Sequence, residues 1–154
     1  MAINNHGKTR WVTLENALRK MLQQWSPLKD YFGDVNTPRL LRDFFSNDVC
    51  KCVSYFLLHV LEIFSISIKR LEVVFSLYIV LNTKNEFKSE KAILPQLCAE
   101  MDSFKNKIRQ RMNEQYFGQN PGALLNQLPV QNSTQLISDF MVFYFLRCKI
   151  FPIF

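Results

Sequence analysis

Arg10 and Trp11, preceded by Thr9, form the pairing in this chain best suited to a chemical task. A guanidinium offers phosphate oxygens a planar fork of donors, and an indole face stacks on an unpaired base. Four further cations alternate along one segment of helical periodicity: Lys105, Lys107, Arg109 and Arg111. The net charge is +6 and the pI is near 9.3. Six residues are therefore candidates for a weak, salt-sensitive, non-specific contact with nucleic acid. The blander reading of the pair is a Trp packing the base of the first helix beside a solvated Arg.

Acid-base and nucleophilic catalysis need convergent titratable groups, and little here converges. The two histidines are His6, in a polar N-terminal arm, and His59, in a strongly apolar stretch. Both read as solvated or structurally satisfied. No HExxH, GxSxG or phosphate-binding glycine loop occurs. Cys50, Cys52, Cys98 and Cys148 include no CxxC, and on a helix Cys50 and Cys52 diverge by about 200°. The expectation is reduced, mostly buried thiols in an intracellular compartment. Asp30, Asp34, Asp43 and Asp48 lie between helices and suit caps and surface charges. No catalytic residue, metal ligand or cofactor is expected.

The elements that must position these residues are helices. Hydrophobic residues make up 48% of the 154 residues and charged ones 21%; Phe occurs 14 times and Gly 4 times. That composition supports a core and argues against a turn-rich sandwich. Thr13 suits an N-cap with Glu15 in the first turn. Leu14, Ala17, Leu18, Met21, Leu22 and Trp25 then follow helical spacing, Trp25 on the core stripe. Pro27 bends or ends that helix and Gly33 marks a turn. Thr37-Pro38 opens a short helix through Leu40, Leu41, Phe44 and Phe45. Ser46 or Asn47 caps a longer one.

Beyond Phe64, β-branched residues also suit a buried strand, but Leu71, Val74, Tyr78 and Leu81 favour continued helix. Asn82 to Lys88 reads as a connector. From Ser89 another helix is expected, with Lys105 to Arg111 on its outer surface. Gly118 to Asn132, with Asn120-Pro121-Gly122 and Leu128-Pro129, reads as a linker. Leu136 to Phe154 could be a docked helix, an edge strand or an unpartnered apolar tail. The chain thus divides into a helical body (1–117), a loop or linker (118–135) and an apolar tail (136–154). The fold expected is an all-α irregular bundle of about four to six helices without a central sheet. No run of about 18 uncharged apolar residues occurs, so no membrane span is expected, and no signal peptide is read in the polar Met1 to Thr9.

Thr9-Arg10-Trp11, followed by Leu18 to Phe32 with Gln24-Trp25 and Leu28-x-x-Tyr31-Phe32, resembles the hAT superfamily of DNA transposases. The resembling region follows that family's second catalytic Asp, where an Arg-Trp motif leads into an all-helical insertion in a ribonuclease-H-like fold. Tyr55 to Phe64 extends the likeness, which covers about residues 8 to 115 and is strongest over 9 to 32. The resemblance implies Arg10 for a phosphate, Trp11 for a flipped base and a nuclear location. The family's three metal-binding acids fall outside the matched region, so the resemblance implies no transposase activity. The function expected is a catalytically inactive, transposon-derived fragment with weak DNA contact. The alternative is a helical protein-interaction or oligomerisation module that binds no nucleic acid and self-associates through apolar surface. No small-molecule substrate is expected.

Overall fold

The computed structural model describes the backbone of residues 8–34, 36–82 and 90–150. Among the described residues there are seven helices and no strand: α1 (Lys8–Gln23), α2 (Trp25–Phe32), α3 (Arg39–Ser46), α4 (Asp48–Asn82), α5 (Glu90–Asn113), α6 (Gln119–Leu125) and α7 (Val130–Ile150). The all-α expectation holds, with one helix more than the upper estimate.

The first helix starts at Lys8, five residues before the expected cap at Thr13. Arg10 and Trp11 thus lie inside α1 rather than ahead of it. Nothing in Lys8 to Val12 breaks a helix, and a Thr can be accommodated in a helix interior. Pro27 acts at a distance of one turn. Its ring excludes the carbonyl of Gln23, four residues earlier, from a continuous helix. The break falls at Gln24 (φ −105°, ψ 20°), and Pro27 becomes the third residue of α2, where its missing N–H costs nothing. Pro38, rather than Thr37, takes the N-cap position of α3, and its carbonyl receives the amides of Leu41 and Arg42. Asn47 caps α4, its side-chain oxygen accepting from the Val49 amide at 2.9 Å.

The 35-residue α4 is the axis of the molecule, packed by α1, α3, α5, α6 and α7. Cys52, Phe56, Val60 and Ile63, spaced four, four and three apart, face one cluster with Ile108, Phe117, Leu125, Leu136, Phe140 and Tyr144. Leu58 lies on the opposite side, about 200° from Phe56, and joins Leu22, Trp25 and Phe45. A helix buried on two faces has little room for a polar stripe. Beyond Phe64 the β-branched Ile66, Ile68, Val73 and Ile79 are exposed and Val74 is buried, all within α4. The burial of the earlier part of α4 explains one departure from expectation. By length and composition alone, Asp48–Val74 is apolar enough to cross a membrane, with mean hydropathy 1.7. His59, Glu62 and Ser65 within it are bound to α1 and α5, as in a core helix.

The expected linker is part of the body. Asn120-Pro121-Gly122 lies in α6, where Pro121 occupies the first turn and is buried with Leu125. Pro129 directly precedes α7. Of the three readings of the last stretch, docking is the one found: Leu136, Phe140 and Tyr144 turn one side of α7 into the core. Residues 151–154 and the connector at 83–89 lie outside the described residues.

Two sets of aromatic contacts anchor the clusters, one stacked and one tilted. Phe56 lies parallel to Phe140 at 3.8 Å between centroids, and Trp25 rests against Phe44 and Phe45 at 5.5 and 5.0 Å. Phe56→Ala is expected to lower unfolding stability by about 3–5 kcal/mol in urea titration, through lost burial and a cavity. Tyr31→Ala, at a side chain 73% exposed, should stay within about 0.5 kcal/mol.

Candidate functional site

The six residues expected to meet nucleic acid are not gathered into one surface. Arg10 and Trp11 sit on α1, and their side chains lie outside the described residues. On α5, Lys105 and Arg109 are one turn apart, as are Lys107 and Arg111. The two pairs point about 200° from each other, because residues two apart on a helix diverge. Arg109 is exposed, and Lys107 is partly buried. Lys105 is 18% exposed and lies 3.9 Å from Asp102. Arg111 turns inward. Its guanidinium meets His59 Nε2 on α4 and lies 5.5 Å from the Tyr116 ring centroid.

This inward Arg begins a polar chain that crosses the bundle from α5 to α1. A guanidinium has only donors, so His59 Nε2 accepts and the ring proton sits on Nδ1. That nitrogen faces Glu62 Oε2 at 4.0 Å. The other Glu62 oxygen accepts from Arg19 at 2.8 Å, and Arg19 also donates to Glu15 at 2.9 Å. Ser65 closes the chain by donating to the second Glu15 oxygen at 2.5 Å. Its hydroxyl, ahead of the opposing effect of burial and the help of Arg19, holds the Glu15 carboxyl below its ordinary range. Burial, aided by the neighbouring Arg111 charge, pushes the His59 imidazole down to about 4.

Around His59 the chain fits closely. Gly118 is buried with φ +107°, and a Cβ there would stand 2.9 Å from His59 Cγ. The Tyr116 ring approaches edge-on at 5.7 Å, and the enclosed Tyr144 hydroxyl donates to the Tyr116 carbonyl at 3.4 Å. Burial raises the Tyr144 phenol, while Arg111 opposes the shift.

A second feature is apolar. Phe64, Ser67, Ile68 and Leu71 of α4 and Glu100, Met101, Phe104 and Lys105 of α5 line a cleft of about 110 Å³. Phe64 and Phe104 form its floor, edge to face at 5.0 Å, and the Arg70–Glu100 pair at 3.7 Å also links α4 to α5. Ile68 and Met101 at its mouth are 38% and 36% exposed. Among the described residues no three His, Cys, Asp or Glu side chains gather as a metal ion would require.

No known protein family, characterised protein or solved structure matches this chain. Its chemistry must be read from these two features. The polar chain has its donors and acceptors paired with each other, which suits it to fixing helix register. The cleft is walled mainly by apolar side chains, with Ser67, Glu100 and Lys105 among its lining, so what it chiefly offers is contact area.

Of the four acids read as caps and surface charges, Asp34 accepts the Asn36 amide at 3.2 Å, Asp43 pairs with Arg39 at 3.3 Å, and Asp48 opens α4. The free thiols are less uniformly buried than expected. Cys52 is enclosed, with its pKa pushed up to about 11 by burial, Cys50 is intermediate and Cys98 is exposed. The Glu15-x-x-x-Arg19 spacing was a visible signal of one ion pair. Glu62 and Ser65, polar interruptions in an apolar helix, marked the partners.

Gly118→Ala is expected to cost about 1–3 kcal/mol, since it adds both a strained φ and a clash with His59. In a double-mutant cycle with His59→Ala, only the clash should be relieved. A Gly118→Ala cost that is unchanged in the His59→Ala background would show that the ring exerts no steric constraint.

Proposed function

We propose that the protein is a non-catalytic, all-helical interaction module that self-associates through α4. The observation carrying this reading is a line of exposed aliphatic side chains on its central helix. Leu57, Ile68 and Ile79 are 41%, 38% and 52% exposed. Successive members are eleven residues apart, which is three turns plus about 20°, so they lie along one slowly turning line. The line is symmetric about Ile68. In an antiparallel two-fold pairing, Ile68 meets its counterpart while Leu57 meets Ile79, as an isologous interface requires. The mouth of the α4–α5 cleft adjoins its centre, so Met101 adds to the same surface. Exposed apolar area of this kind is where soluble chains meet partners.

Sedimentation velocity over a range of concentrations tests the reading. A dimer is expected, weakened at least about tenfold by Ile68→Glu, which would bury an unpaired carboxylate. The helical circular dichroism should be unchanged. A wild-type chain that stays monomeric at every concentration rules the proposal out.

A second reading rests on the Arg10-Trp11 pair and the +6 charge. It keeps the hAT-like ancestry, the nuclear location and a weak, non-specific DNA contact without catalysis. Arg10 would take a phosphate and Trp11 a base, with Arg109 and Lys107 adding sequence-independent attraction. In gel-shift titrations with hairpin or single-stranded DNA, Trp11→Ala should weaken binding roughly 5- to 100-fold if stacking contributes. Identical titrations for the wild type, Arg10→Ala and Trp11→Ala would remove this site.

A further inference from the structure

We propose that His59 and Arg111 form an acid-sensitive latch that holds the connection between α5 and α6 against α4. The contact itself imposes the sensitivity. Arg111 can only donate, so its contact with the ring needs the lone pair of a neutral His59 Nε2. A protonated ring has no lone pair to offer. The contact then joins two donors and two positive charges, and one side chain must leave.

What moves with the ring follows from its neighbours. Gly118 rests on it so closely that a methyl group would not fit, and Tyr116 meets it edge-on. Arg111, stacked beside Tyr116, is the last basic residue of α5 and sits just before the connection. Displacing either partner therefore releases Tyr116 to Gly118 from the side of α4. Phe117, 4% exposed between them, is the buried residue this would uncover.

The other charged and titratable groups around the ring leave the latch intact at neutral pH. From α4 itself Glu62 would favour a protonated His59, but it stands 4.0 Å away and is already engaged by Arg19 of α1. From α7 the Tyr144 phenol reaches the Tyr116 carbonyl and stays uncharged at neutral and acid pH. Burial and the Arg111 charge keep the ring neutral down to about pH 4. The α1–α4 tie rests on other groups: Ser65 and Arg19 donate to the Glu15 carboxyl and hold it below its ordinary value.

The sign is fixed by proton uptake. The unfolded ring titrates near 6.5 and the folded ring near 4, so between these values the unfolded chain binds more protons. Stability contributed by the neutral ring is complete above about 6.5 and falls as pH drops toward 4.

The test is a nuclear magnetic resonance titration of the intact chain from pH 7.5 to 3.5, following the His59 ring and the backbone amides of Tyr116, Phe117 and Gly118. The ring and the three amides should shift together, with one midpoint at least one pH unit below 6.5. In Arg111→Gln the midpoint should rise toward the ordinary histidine value. In His59→Gln the common transition of the amides should vanish while the helical content at pH 7 stays unchanged. A wild-type ring titrating near 6.5, or amides that stay still while it titrates, overturns the latch. If His59→Gln fails to fold, the wild-type and Arg111→Gln titrations still decide the matter.

Discussion

The two-sided burial of α4 is the constraint on which the rest of the molecule depends. A helix packed on one side can send its other face to water. This one has apolar partners on opposite sides: Phe56, Val60 and Ile63 against α5, α6 and α7, and Leu58 against α2 and α3. Its composition is accordingly apolar almost all round. The same requirement decides which elements must exist, since one cluster closes with α1 to α3 and the other with α5 to α7.

Ser54 is buried in this axis and donates to the Cys50 carbonyl one turn back, whereas other polar side chains on it are completed by neighbouring helices. Glu62 and Ser65 meet Arg19 and Glu15 of α1, and His59 meets Arg111 of α5. Each contact occurs at one register only. A slide of α1 or α5 along α4 by one turn would leave charged or hydrogen-bonding atoms facing apolar side chains, an arrangement several kcal/mol less favourable. Apolar packing supplies the attraction between the helices, and the polar chain selects their alignment.

Much of this architecture was legible in the residues. The stripe ending at Trp25, the break imposed by Pro27, the Asn47 cap and the run from Val49 to Leu81 each follow from local rules of spacing and capping. Two things were not legible. Asn120-Pro121-Gly122 reads as punctuation because its helical state depends on tertiary burial of Pro121 and Leu125. The direction of Arg111 was hidden for a related reason. Its spacing from Lys105, Lys107 and Arg109 gives only its angle on α5, and the partner that draws it inward is His59, fifty-two residues away. For the exposed line on α4, the spacing of Leu57, Ile68 and Ile79 gives a common angle on the helix, but their exposure is set by where the neighbouring helices stop covering the axis.

The order of the elements along the chain has a consequence for biosynthesis. As the polypeptide leaves the ribosome, α4 emerges with α1 to α3 already available for one of its sides. The opposite side, with Phe56 at its centre, must wait until Phe140 and Tyr144 have been translated. A nascent chain therefore carries an unmatched sticky flank through much of its own elongation. That interval, rather than the finished bundle, is when a chaperone would have the most to bind.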